Sequence, residues 1–183
     1  GENFVTVKEI AEYMQEHKKA LFDENPMMIT EERHEVSQLV ANASRYQGLK
    51  FFGVVSEWDK DTTKQFAAIT VEVEPSVRLV IFRGTDDTLI GWKEDFLMTY
   101  SPLVAAQTDA KEYLAKQASL FDGDLMVSGH SKGGNLALYA AATQEEDVQL
   151  RLVDIFCFDS PGVHRSVLET KGYKNIVPLA MRY

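Results

Sequence analysis

The stretch from Asp124 to Ala142, DLMVSGHSKGGNLALYAAA, constrains the fold more than any other part of the chain. Its first residues read as a strand and NLALYAA reads as a helix, with Gly-His-Ser-Lys-Gly-Gly between them. A strand that enters a helix through so short a turn forces the central serine into strained backbone geometry. The strain lifts the serine hydroxyl above the sheet and aims the helix N-terminus at it. The residues two before and two after the serine then lie close together and must be small. Gly129 and Gly133 hold those positions, and Gly134 thins the turn further. An ordinary strand-to-helix turn would explain the polar and glycine content, but not this spacing. The spacing marks Ser131 as a candidate nucleophile.

The segments around this turn alternate between strand and helix patterns. VKEIAEYMQEHKKALF and, more weakly, EERHEVSQLVANASRY have helical spacing. LKFFGVVSEW and FAAITVEVEP then read as strands, followed by the short apolar strand VRLVIFRGT. TLIGWKEDFLMTY reads as a short helix. AAQTDAKEYLAKQASLF is a longer one, with Ala106, Ala110, Tyr113, Leu114 and Leu120 near one face. Beyond the Ser131 turn, LRLVDIFCF is a strand apolar enough to be buried on both faces, SVLETKGY is a short helix, and NIVPLAM is a last strand. Two antiparallel-type strands followed by β-α-β-α-β-α-β predict an α/β fold, a mixed, mostly parallel sheet with helices on both faces and helices ahead of it.

Composition narrows the function. At 183 residues, with 45% hydrophobic and 26% charged residues, the chain is expected to form one soluble domain spanning residues 1–183. A net charge of −9 disfavours nucleic acid, whose phosphates it would repel; the basic run at His17–Lys19 reads as a solvated helix face. No apolar run reaches the ~18 residues of a membrane span, and the N-terminus lacks the apolar centre of a secretory signal. The chain begins with Gly, as a trimmed start would, and NIVPLAMRY ends inside an apparent core strand, which predicts truncation at the C-terminal end. The single cysteine, Cys157, lies in an apolar strand and reads as a buried, inert thiol in a reducing cytosol.

A second motif, VIFRGTDDTLIGWKEDF at residues 80–96, supplies what a serine nucleophile requires. Attack on a carbonyl needs two backbone N–H donors aimed at the developing oxyanion. One comes from the residue after the nucleophile, Lys132, whose side chain is therefore expected to be dispensable. The other comes from a loop after an earlier strand, where Gly84 and Thr85 lie, and the Thr85 hydroxyl adds a possible third. Asp86 or Asp87 capping the next helix is compatible with this reading.

Together, FRGT, the pattern Gly91-Trp92-x-x-Asp95, GHSKGGNLALYAA and FDSPG resemble class 3 (fungal-type) lipases, closest to their bacterial Mbeg-like branch, over about residues 45 to 178. The resemblance implies an α/β-hydrolase fold, Ser131 as nucleophile, and Thr85 and Lys132 as oxyanion donors. It also implies a lid in the segment after RGT. Lys132 stands where the wider family carries an apolar residue.

Serine needs a base, and the base an orienting acid, in the chain order Ser, Asp or Glu, His. Asp159 ends the strand expected beside that of Ser131 and is the candidate acid; a turn or cap role in FDSPG explains it equally well. The class 3 pattern instead places its acid before IVP, where this chain has Asn175. After Ser131 the only histidine is His164, five residues past Asp159, a span of at most ~17 Å. Three alternatives stand: His164 is the base, the base lies beyond Tyr183, or the protein is catalytically silent. Pro161 and Gly162 are expected to swing His164 into the next helix, away from Ser131. His130 points elsewhere by the geometry of the turn, and His17 and His34 read as exposed helix residues. HEVSQ falls short of a zinc-protease motif, no phosphate loop or Cys/His cluster is present, and neither metal nor cofactor is expected. The expected function is a serine hydrolase acting on a carboxylic ester of acyl-lipid or similar apolar type. The competing expectation is a hydrolase-fold binding or regulatory module without turnover.

Overall fold

A computed structural model of the chain describes residues 2–17, 31–59, 64–85 and 103–183. It divides into two compact units, Gly1–Phe52 and Gly53–Tyr183. The expected helix at 88–100, with Gly91, Trp92 and Asp95, lies outside the described residues, as do Asp86 and Asp87.

In the first unit, strand β1 (Val5–Thr6) pairs antiparallel with Lys50 and Phe51 at the start of β2 (Lys50–Asp59). Helices α1 (Val7–Glu16) and α2 (Glu31–Asn42) follow β1. Thr6 caps α1 in a capping box: its hydroxyl accepts from the Glu9 N–H while Glu9 accepts from the Thr6 N–H. The Thr6 N–H, foremost, and the Thr6 hydroxyl both donate to the Glu9 carboxylate and hold it below its ordinary range, so the box persists until the pH falls below that range. Val7, Ala11 and Ala41 form a small core with Leu49 and Phe51. His34, expected to be exposed, is buried, and its ring Nε2 lies 3.3 Å from Gln15 Oε1. The polar partner on α1 lets the imidazole sit inside at little cost.

In the second unit the strands follow chain order: β2, then β3 (Lys64–Glu74), β4 (Val77–Phe82), β5 (Asp124–His130), β6 (Leu152–Phe158) and β7 (Ala180–Arg182). The β3–β4 pair is antiparallel, and β4 through β7 are parallel. Helix α3 (Ala105–Leu120) connects β4 to β5, and α4 (Lys132–Ala142) leaves β5. After α4 come the short helices α5 (Glu146–Gln149), α6 (Arg165–Leu168) and α7 (Lys171–Ile176). One core joins Val80 and Phe82 of β4, Leu125 and Val127 of β5, and Ile155 and Cys157 of β6. Against them lie Ala106, Ala110 and Leu114 of α3 and Leu136, Ala137, Ala140 and Ala141 of α4.

Two expectations need correction here. Among the described residues of this unit, α3 packs on α4 and α4 on α7, and α3 and α4 also lie against the sheet. Strand β4 fully buries alternate residues only, so these helices share one face and do not cover both. When parallel strands follow in spatial order, right-handed crossovers place every connecting helix on the same side; helices on both faces require the order to reverse. In addition, NIVPLAM is not one strand. Its first residues end α7, Val177–Leu179 form a 3-10 turn with Pro178 in its first positions, and β7 begins only at Ala180. Proline has no N–H to give a sheet ladder. Leu120, placed near the buried face of α3, is half exposed at the helix end.

Tyr113 anchors α3 to the sheet. Its hydroxyl donates to Gly53 O at 2.9 Å and lies 2.9 Å from Thr70 Oγ1. Among the described residues no helix is long and apolar enough to cross a membrane.

Candidate active site

The parallel register sets Phe82, Gly129 and Cys157 side by side, with Arg182 beside Cys157. The C-terminal ends of four strands therefore share one rim, and Ser131 stands on it. It follows β5 and is the N-cap of α4, with φ 53° and ψ −127°. A non-glycine residue holds such a conformation at a cost of about 1–3 kcal/mol, and only where its surroundings enforce it. Those surroundings are in place. Ser131 N–H donates to Phe158 O at 2.9 Å, and Ser131 O accepts from Gly134 N–H at 3.0 Å.

The flanking glycines are required by contact. A Cβ on Gly129 would run into the backbone of Gly133, including Gly134 N at 2.6 Å. A Cβ on Gly133 would run into the carbonyl of Phe82 at the end of β4. Gly84, just beyond β4, lies so near that its Cβ would stand 2.7 Å from His130 O and 3.6 Å from the Ser131 Cβ. The backbone of Gly84 thus rests against the turn that carries Ser131, and the next residue, Thr85, is half-buried.

Lys132 opens α4, but its side chain is no bystander. It is 2% exposed, and Nζ donates to Gln65 O at 2.7 Å. The expectation that Lys132→Ala keeps most activity concerns the main chain; for the fold, the side-chain stem crosses buried space and ties the start of α4 to the start of β3. Lys132→Ala is expected to destabilise the fold by ~2–4 kcal/mol, from the lost volume and a carbonyl stripped of its donor. Lys132→Met, which keeps the stem, recovers the packing part. Urea unfolding of the two variants measures the difference, and an unchanged midpoint in Lys132→Ala would refute the anchor.

Asp159 follows β6 directly, one residue past the backbone partner of Ser131. It is exposed and adopts φ 44°, and its N–H donates to Tyr183 O at 2.9 Å. His164 caps α6: its Nδ1 accepts from Ser166 N–H at 3.3 Å and lies 2.9 Å from Ser166 Oγ. No hydrogen bond joins Ser131, Asp159 and His164 through their side chains among the described residues. The structure therefore brings Ser131, Lys132, the Gly84–Thr85 backbone and Asp159 to one rim, and holds the His164 ring in a helix cap. His130 is exposed. Cys157 is buried, and burial pushes its thiol up, against the opposing charge of Arg182 and a bond from Ser160. Such a thiol stays protonated and unreactive near neutral pH.

Sequence reasoning missed two residues that touch this region. Asn135 and Gln107 are both buried, and Asn135 Nδ2 donates to Gly162 O at 2.6 Å, in the segment between Asp159 and His164. The available signal was an asparagine one turn into an otherwise apolar helix.

Comparisons with known proteins follow this geometry. A family model described as Mbeg1-like matches residues 40–183. Among solved structures, the chain is similar to a fungal lipase–inhibitor complex, titled as a model for interfacial activation in lipases. The TM-score is 0.55 and the identity 17%, with 100% of this chain and 73% of that chain covered. At that identity the likeness carries the fold alone. No curated protein matches the sequence.

Proposed function

The chain belongs to the Mbeg1-like family, and from that premise, joined to a lipase-like α/β fold, we propose that it is a serine hydrolase cleaving carboxylic esters of lipid-like, apolar substrates. The observation that carries this reading is the positive φ of Ser131 at the junction of β5 and α4. A solvated turn has no reason to sustain that strain; a nucleophile that must stand clear of the sheet does.

In the proposed reaction Ser131 Oγ attacks the ester carbonyl and its proton passes to a histidine. The carbonyl electrons move onto oxygen, which the N–H groups of Lys132 and Thr85 stabilise. Collapse of the tetrahedral intermediate expels the alcohol, which takes the proton from the histidine and leaves Ser131 acylated. Water, deprotonated by the same histidine, then releases the acid. Asp159 is the proposed orienting carboxylate. His164 is the histidine nearest to it in sequence, and to act it must leave the Ser166 cap. A single buried cysteine agrees with a reducing, cytoplasmic setting.

One observation favours a second reading, a hydrolase-fold binding module without turnover: no described histidine bonds to Ser131. A fluorophosphonate probe separates the two. The hydrolase reading expects covalent labelling, mapped by peptide mass to Ser131 and abolished in Ser131→Ala. A folded full-length protein that stays unlabelled would establish the silent module instead.

A further inference from the structure

Asn135 lies one helical turn beyond Ser131 in α4 and is 2% exposed. It belongs to a chain of amides. Val104 N–H donates to Gln107 Oε1 at 3.1 Å, Gln107 Nε2 donates to Asn135 Oδ1 at 2.9 Å, and Asn135 Nδ2 donates to Gly162 O at 2.6 Å. A buried amide is kept where its polar atoms are satisfied, and here each link fixes the orientation of the next. The chain ends on the stretch 159–164, which starts at Asp159 and finishes at His164. At its ends Asp159 N–H donates to Tyr183 O and His164 O accepts from Val167 N–H, and Val163 is buried in the core. From Ser160 to Val163 no backbone–backbone hydrogen bond is present among the described residues; Arg182 reaches Ser160 O at 3.4 Å. Gly134 lets Ser160 close onto α4, since a Cβ there would stand 2.8 Å from Ser160 Oγ.

We propose that Asn135, oriented by Gln107, is a positioning residue that sets the Asp159–His164 segment against the helix carrying Ser131. The inference rests on Ser131 being the nucleophile. The chemistry selects an amide at position 135. It must accept from Gln107 on one side and donate to a carbonyl on the other, which an ionised carboxylate cannot do and an alkyl group does not attempt.

The test uses the full-length protein, a p-nitrophenyl ester and the fluorophosphonate probe, with thermal melts alongside. Gln107→Glu keeps the acceptor for Val104 N–H but removes the donor to Asn135. Asn135 then turns its NH2 toward the new carboxylate and its oxygen toward Gly162 O, which loses its partner at nearly constant volume. Asn135→Ala removes the link outright. In both variants kcat per folded molecule is expected to fall by about 10²-fold with KM little changed, as sub-ångström misplacement of catalytic groups gives, and probe labelling slows in parallel. Wild-type kcat in either folded variant would overturn the positioning role while leaving Ser131 as nucleophile. Loss of folding in both variants would assign the amides to packing and overturn it equally. A wild-type protein that neither labels nor turns over would remove the reading on which the inference stands.

Discussion

Gly133→Ala is expected to lower stability by roughly 3 kcal/mol and to slow fluorophosphonate labelling of Ser131 by at least about 10²-fold. Two effects of opposite sign compete at this position. Helix propensity favours alanine over glycine by up to ~1 kcal/mol inside a helix, and Gly133 lies in the first turn of α4. Against this, the new methyl group would overlap the Phe82 carbonyl and press on Arg83 C at 2.9 Å. Neither neighbour is a flexible side chain that can turn aside; both belong to the end of β4. Relief requires α4 to move away from the end of β4, and Gly84 and Thr85 follow directly on the residues that are pushed. Overpacking against well-held structure costs typically 1–3 kcal/mol and occasionally more, so the clash outweighs propensity. The comparison that isolates the effect is alanine at Gly172, at the start of α7, whose methyl group would meet the Ala142 carbonyl at the far end of α4 from Ser131. Both variants lose stability, but only Gly133→Ala should lose labelling beyond its loss of folded protein. A Gly133→Ala variant that melts with the wild type and labels at the wild-type rate would contradict the packed turn.

Much of this turn was legible because it is a local device. Strand β5, the serine, both glycines and α4 are consecutive, so spacing alone exposes them, and β4 and β6 are short apolar runs that few other structures accommodate. What stayed hidden depends on partners far away in sequence. Lys132 reads as a surface cation; the approach of Gln65 O, contributed by β3, gives its buried ammonium an acceptor. Asn135 and Gln107 are ordinary polar letters until α3 and α4 pack and bring their amides together. NIVPLAM reads as a strand for a different reason: an apolar run of that length carries no period, whereas Pro178, with no N–H for a ladder, opens a 3-10 turn instead. His164 shows the limit most plainly. Its distance from Asp159 along the chain sets what it can reach, whereas its actual bonds come from Ser166 at the start of α6, a choice made by local capping rather than by the site.

Thr85→Val is expected to cut kcat far more than it lowers stability. Valine keeps the branched shape and the backbone N–H, and removes only the hydroxyl. At a half-buried position the loss of one hydroxyl is expected to lower stability by no more than about 0.5–1.5 kcal/mol, which the melt reads separately from turnover. If the hydroxyl joins the backbone N–H groups of Thr85 and Lys132 in holding the oxyanion, its loss leaves the developing charge short of one donor. Removal of one such donor costs ~10²–10³-fold in kcat, about 2.7–4 kcal/mol of barrier. The substrate carbonyl carries little charge before attack, so KM should hardly change. The probe gives an independent reading: its phosphoryl oxygen occupies the place of the oxyanion, and labelling should slow along with turnover. The closeness of Gly84 to the Ser131 Cβ supports this reading, since residue 85 follows directly on a backbone that lies against the nucleophile's turn. Equal kcat in wild type and Thr85→Val, with labelling also equal, would show that the oxyanion is held by main-chain donors alone and that the hydroxyl serves the loop after β4 instead.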